Sequence, residues 1–273
     1  MPRPPALPLR SVLLNTPRIE LWPAGLLRAR SNADARTLAQ AHTVLRRKRD
    51  GRYLAAVLPR GVQPLLPGLP REPGLDAAWD ALERSEGEAR GFNIDGAGTL
   101  PVDALLDRLR HLGLDEGYGT RTGLALVAEP AALAFAGFDR FRRPLWLTAA
   151  AARTWLAMRQ AAARDGIALD AISGYRSHDY QLGIFERKRA RGQTVEQILT
   201  VNAAPGYSEH HGGNALDIGT PGEPPAEATF EATPAFAWLA GRAGDFGFAM
   251  SYPRGNPHGI VYEPWHWCLR EAP

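Results

Sequence analysis

Ser208-Glu209-His210-His211-Gly212-Gly213-Asn214-Ala215-Leu216-Asp217, together with Glu263-Pro264-Trp265-His266 near the C-terminus, decides how this chain is read. The two blocks bring imidazoles and carboxylates into close spacing. Zinc sites that do chemistry use three N/O protein ligands and leave a fourth position for water. His210, Asp217 and His266 meet that need as metal ligands. Glu263, three residues before the last imidazole, suits the base that takes a proton from the water. Gly213 and Ala215 are small, which suits a backbone that must bring His210 and Asp217 to one point. A His-x6-Asp spacing alone says little, and the doublet says much more.

Ser-x-His-x-x-Gly-x-Ala-x-Asp followed by Glu-x-Trp-His resembles the signature of the zinc D-alanyl-D-alanine carboxypeptidase family of the VanY type. Ser173-Gly174-Tyr175-Arg176-Ser177, with Gln181 five residues past the arginine, is similar to that family's substrate-binding segment. Pro205-Gly206-Tyr207 leading into Ser208 matches as well, as does Ser251-Tyr252-Pro253. The likeness spans roughly residues 140–270 and does not reach the first hundred or so. It implies an α+β fold, with a central, mainly antiparallel sheet and flanking helices, of the D,D-peptidase/hedgehog-like kind. It also implies one Zn2+ per chain and a peptidoglycan stem peptide as substrate, losing a C-terminal D-alanine by D,D- or L,D-cleavage. Glu263 and Arg176 are then catalytic. Arg176, Gln181, Ser208 and Tyr252 are then substrate contacts. A guanidinium fork suits a carboxylate or a developing oxyanion.

The 273 residues allow one large or two ordinary domains, and 45% hydrophobic with 22% charged residues is a soluble globular composition. The net charge of +3 is unevenly spread: residues 1–50 hold ten Arg/Lys against three acids, and the remainder carries 22 bases against 26 acids. Such a segment suits nucleic acid or an anionic envelope polymer, but the expectation is a solvated basic helix face and no nucleic-acid partner. The single cysteine excludes an internal disulfide and does not decide the compartment. No apolar run approaches the ~20 residues of a membrane span. Met1-Pro2-Arg3-Pro4-Pro5 opens no signal-peptide core. The substrate class points to the cell envelope or periplasm, with the cytoplasm as the alternative.

Residues 1–31 read as irregular. A helix is expected from Asn32, capped by Asn32 or Asp34, with Ala35, Leu38, Ala39, Ala41 and Leu45 as its stripe. Tyr53–Leu58 reads as a strand, and Leu75–Arg84 and Val102–Leu112 as helices. These make residues 1–118 an α-rich accessory region of unknown function, ending in Asp115-Glu116-Gly117-Tyr118-Gly119. The resemblance implies that residues 119–273 are the carboxypeptidase domain. Its expected strands include Leu124–Val127, Pro144–Leu147, Ile167–Ile172, Leu216–Ile218, Phe246–Met250 and Val261-Tyr262. Its expected helices begin at Thr148, Asp179, Thr194 and Thr233.

His211 and His258 are expected to be supporting or solvated rather than ligands, Cys268 a half-buried structural thiol, and Trp265 a packing residue beneath the site. Two other functions compete: an endopeptidase or lysin on the same scaffold, and a non-catalytic zinc domain that binds envelope peptide. A pure binder needs no Glu263.

Overall fold

The short apolar patches near the N-terminus are strands. In the computed structural model, which describes residues 11–29, 31–86, 93–114 and 117–270, the chain divides into two units. The first comprises Met1–Leu100 and Pro130–Phe135, and the second Pro101–Glu129 and Ala136–Pro273.

The first unit is built on antiparallel strands β1 (Val12–Asn15), β2 (Ile19–Pro23), β3 (Thr43–Arg47), β4 (Tyr53–Leu58) and β5 (Gly61–Pro64), with β6 (Ala132–Phe138) beginning in it. Their order is β5-β4-β3-β2-β1-β6. Leu14, Leu21, Leu45 and Ala55 stand in register across four strands. Helix α2 (Leu75–Glu86) covers that face with Ala78 and Leu82. On the other face Val44 and Ala56 pack with Ala24, Leu27 and Leu38. Both faces are therefore covered, which makes such strands read as apolar runs without alternation.

The accessory region is thus β-rich rather than α-rich. Helix α1 (Asn32–Leu38) starts where expected, but Ser31 caps it, its hydroxyl accepting from Asp34 N at 3.0 Å. It ends at Leu38 because Thr43–Arg47 is taken up as a partner of β4, with Thr43 opposite Val57. Branched Thr43 and Val44 favour that choice. Nor is the basic segment a solvated helix face. Arg46 pairs with Glu20, Arg47 with Asp50 and Glu72, and Lys48 is buried. Arg3, Arg10 and Arg30 lie outside the described residues, as do Met1–Pro5 and Asp115-Glu116.

The second unit contains α3 (Asp103–His111), α4 (Tyr118–Thr122), β7 (Pro144–Leu147), α5 (Ala149–Arg164), β8 (Asp170–Ser173), α6 (His178–Ala190), α7 (Val195–Leu199), β9 (Ala215–Gly219), α8 (Pro234–Arg242), β10 (Phe248–Met250) and β11 (His266–Leu269). Strands β10-β11-β9-β8 form an antiparallel sheet. Thr148 caps α5, whose Ala151, Trp155, Met158 and Ala162 are buried as their spacing predicts. Ser177 rather than Asp179 caps α6, and Asp179 pairs with Arg108. Leu124–Val127 and Val261-Tyr262 belong to no strand.

The boundary read at 118/119 falls inside this second unit. Leu105 and Leu109 of α3 and Tyr118 of α4 share a buried cluster with Leu124, Leu182 and Tyr207. Apolar burial therefore ties residues 101–118 to the rest of that unit. A Leu109→Ala exchange is expected to cost about 2–5 kcal/mol. Urea unfolding followed by tryptophan fluorescence checks this, and an unchanged midpoint would remove α3 from that core.

Candidate metal centre

The site is written across the second sheet. Ser173 on β8, Asp217 on β9 and His266 on β11 stand opposite one another in register. Directly opposed residues of antiparallel strands bring their side chains within reach of each other. His210 comes from the short 3-10 turn Glu209–Gly212, and Gly213 at φ 71° then turns the chain into β9. Only a residue that tolerates the left-handed region makes that turn cheaply. The requirement for a small residue at 213 thus rests on backbone geometry.

His210, Asp217 and His266 are buried, and their ligand-type atoms lie within 4.8 Å of one another. Each ring is oriented from behind. His210 Nδ1 donates to the Gly174 carbonyl at 2.8 Å, which turns Nε2 toward Asp217 Oδ1 at 3.3 Å. His266 Nε2 faces Glu209 Oε2 at 2.9 Å, and its Nδ1 meets the same Asp217 oxygen at 3.2 Å. The other oxygen of Asp217 accepts from Ser173 Oγ at 2.6 Å, with Arg176 Nη2 at 4.0 Å. Two imidazole nitrogens therefore converge on one carboxylate oxygen while their other nitrogens are held elsewhere. That arrangement suits a cation between them.

The protonation preferences agree. Burial alone would raise Asp217, but His210 and His266 outweigh it and hold the carboxyl well below its ordinary range. Burial lowers His210. Burial also opposes charge on His266, yet Asp217 and Glu209 lift it to about 9. The pocket draws positive charge, and a set of two nitrogens and one carboxylate oxygen fits a divalent ion of the zinc type.

The close packing behind His210 demands glycine. A Cβ on Gly174 would lie 2.8 Å from Leu145 Cδ1 and 3.0 Å from Trp146 O. The carbonyl that orients His210 can thus sit where it does only because residue 174 has no side chain.

His210, Asp217, His266, Glu263, Arg176, Gln181, Ser208 and Tyr252 all line one cavity of about 220 Å3. Trp265, expected beneath the site, lines it too. Glu263 Oε2 is 3.9 Å from His266 Nδ1. Burial, helped by Asp217 and Glu209 and opposed by His266 and Arg176, raises its pKa to about 7. Gln181 bonds within the chain at both ends: Oε1 accepts from Arg176 Nη1 at 3.1 Å and Nε2 donates to Ala203 O at 3.1 Å. Its place is that of a brace for the arginine. The Tyr252 ring lies 4.8 Å from the His266 ring, and burial, with Glu209 and Glu263, raises its phenol. Ser208 flanks the turn that carries His210.

His211 is no ligand: Nδ1 donates to Arg176 O at 2.6 Å and Nε2 accepts from Gly206 N at 3.1 Å. His258 Nδ1 faces Thr122 O. Cys268 is fully buried rather than half-buried, stands opposite Ala215, and has its thiol pushed up to about 12 by burial and Glu209.

Glu209 is the site residue that sequence reasoning missed. Besides His266 it binds Ser251 Oγ at 2.5 Å and Arg270 Nη1 at 2.7 Å. Burial works against its charge, but His266, Ser251 and Arg270 bring its pKa down to about 2. Its position beside His210 was the only signal available.

A buried His–Asp–His cluster, backed by a carboxylate and facing a cavity with a second carboxyl of raised pKa, offers the donor set and nearby base that metal-assisted hydrolysis uses. Residues 144–271 match the family described as VanY, D-alanyl-D-alanine carboxypeptidase. The chain is 36% identical over 119 residues to protein YodJ of Bacillus subtilis (strain 168), covering 40% of this chain and 41% of that protein. It is 34% identical over 96 residues to a D-alanyl-D-alanine carboxypeptidase of Enterococcus faecium, covering 34% and 27%. A solved variant of the vancomycin-resistance D,D-pentapeptidase VanY in complex with Zn(II) is 28% identical, with 46% of this chain and 74% of that one covered and a TM-score of 0.39. The chain spans less than half the length of the curated relatives it matches.

Carboxylates behind metal-bound histidines typically carry 10–100-fold in affinity. Glu209→Gln is therefore expected to weaken zinc binding by about that factor in a competition titration with a chromophoric chelator. Unaltered affinity would make Glu209 a bystander.

Proposed function

We propose that the chain is a zinc-dependent carboxypeptidase that removes a C-terminal D-alanine from peptidoglycan stem peptides, with one ion per chain held by His210, Asp217 and His266. The observation that carries this reading is the meeting, in one small cavity, of the ligand cluster, Glu263 and Arg176. An ion there would supply electrophilic polarisation of the scissile carbonyl and acidification of a water. Glu263, at about 7, takes the proton of the attacking water and passes it to the leaving amine. Arg176, braced by Gln181, meets the terminal carboxylate of the peptide and the charge that develops on the carbonyl oxygen. Ser208 and Tyr252 supply further walls for the last residues of the substrate.

Among the described residues no helix is long and apolar enough to cross a membrane. The polymer on which we propose the enzyme acts belongs to the cell envelope.

Glu263→Gln keeps size and packing but cannot act as a base. The variant is expected to keep its zinc and bind peptide, while D-alanine release from a peptide ending in D-Ala-D-Ala or diaminopimelate-D-Ala falls about 10²–10⁴-fold. Equal release by parent and variant would take Glu263 out of the mechanism. If the parent cuts only cross-linked muropeptides and frees no terminal D-alanine, it is an endopeptidase.

Arg176→Lys preserves charge and loses the two-pronged geometry. KM for a free-carboxylate peptide is expected to rise about tenfold or more, with zinc content unchanged. Parent-like kinetics would make Arg176 a structural ion-pair residue.

A further inference from the structure

The segment that carries Arg176 has no ladder to hold it. Gly174, Tyr175, Arg176 and Ser177 lie between β8 and α6 in no regular element. Apart from Tyr175 N–H, which donates to Trp146 O of β7 at 3.0 Å, their shape comes from side chains and neighbouring loops, because buried backbone groups need partners. The Arg176 main chain is held on both sides, its N–H donating to His210 O at 3.1 Å and its carbonyl accepting from His211.

Glu129 supplies the next layer of support. The residue is 3% exposed. One carboxylate oxygen accepts from Tyr175 Oη at 2.5 Å, and the other accepts from His178 N at 2.7 Å. The two anchors lie on either side of Arg176. The His178 ring stands against the same carboxylate, Nδ1 at 3.2 Å, with Nε2 2.8 Å from the Val127 carbonyl. That ring meets His211 edge-on at 4.4 Å between centroids. The contacts therefore run without a gap from Glu129 through Tyr175, His178 and His211 to the Arg176 backbone. Glu129 also lies outside the segment that matches the carboxypeptidase family.

We infer that Glu129 is a positioning residue for substrate recognition: by pinning Tyr175 and His178 on either side of Arg176, it sets the direction in which the guanidinium meets the peptide's terminal carboxylate. The inference rests on the role given to Arg176 above. Glu129 touches no reacting atom and acts through the loop. Its two oxygens serve two different donors, so neither can be given up. Glutamine offers one acceptor oxygen and one donor NH2. With its oxygen turned to His178 N and its NH2 to the Tyr175 hydroxyl, which can also accept, the amide keeps two contacts but only as neutral hydrogen bonds, without the strength the carboxylate's charge gives them.

The test compares the zinc-loaded parent, Glu129→Gln, Tyr175→Phe and the double variant on an acyl-D-Ala-D-Ala peptide and on its C-terminal amide. Hydrogen bonds to charged groups correspond to roughly 10–100-fold in an equilibrium. Glu129→Gln is expected to raise KM, and Kd in calorimetry, about tenfold or more. Its kcat should stay within about threefold and its zinc content should match the parent's. Preference for the free carboxylate over the amide should shrink by a similar factor. Tyr175→Phe should move both readouts the same way, and the two changes should combine less than additively in the double variant.

Unchanged KM and unchanged preference in the variants would overturn the inference, as would a loss confined to kcat with departing zinc. If Glu129→Gln does not fold, Tyr175→Phe decides, since it keeps the ring and removes one anchor. A parent that neither binds nor cleaves either peptide overturns the proposed function and this inference with it. An active parent with unaffected variants overturns this inference alone.

Discussion

Asp217 is a carboxylate with almost no water around it, 7% exposed in the middle of a strand. An unpaired charge in such a place is costly, and the fold around it supplies partners from every side. Ser173 approaches from β8, His266 from β11, His210 from the preceding turn and Arg176 from the loop beyond β8. The antiparallel pairing of β8, β9 and β11 fixes two of these positions, Ser173 and His266, through register alone. A one-residue slip of β11 would send His266 to the opposite face and bring Trp267 in. The sheet's register and the site's chemistry are therefore one constraint.

The two glutamates of the site show how surroundings divide labour between like groups. Glu209 is buried but surrounded by donors, and it stays ionised with a pKa of about 2. It can orient His266 and has little tendency to take up a proton. Glu263 is buried with less compensation, and its pKa rises to about 7. It can both accept and return a proton near neutrality. Exchanging their surroundings would exchange their roles, although the side chains are chemically identical.

Much of this site is legible in the sequence because its parts are local. His210 and Asp217 are joined by one turn and half a strand. Glu263 and His266 are joined by three residues, and the substrate-side blocks sit at strand or helix ends. The fold of the second unit is legible for the same reason, its helices being marked by Thr148, Thr194 and Thr233 as caps. What escaped depends on distant partners. Glu129 and Glu209 are ordinary glutamates until Tyr175, 46 residues away, and His266, 57 residues away, are brought to them. Strands β1 to β3 escaped because both their faces are buried, which erases the period-two signal. Alanine and leucine at helical spacing then carried α1 too far, where pairing with β4 overrode local preference. Gln181 reads as a contact for substrate, and it does line the cavity. The sequence cannot show that its amide also holds Arg176 and the Ala203 carbonyl.

Cys268 stands two residues from His266 on the same strand, and it is the chain's only thiol. It is buried, and with its thiol pushed to about 12 it stays protonated. Thiolates are the form that oxidants and soft metals attack. The cluster that would hold the ion is made of imidazole and carboxylate alone. Neither group gains or loses electrons under ordinary biological conditions. Among the described residues the ligand cluster therefore contains no thiolate that oxidation to a disulfide could remove.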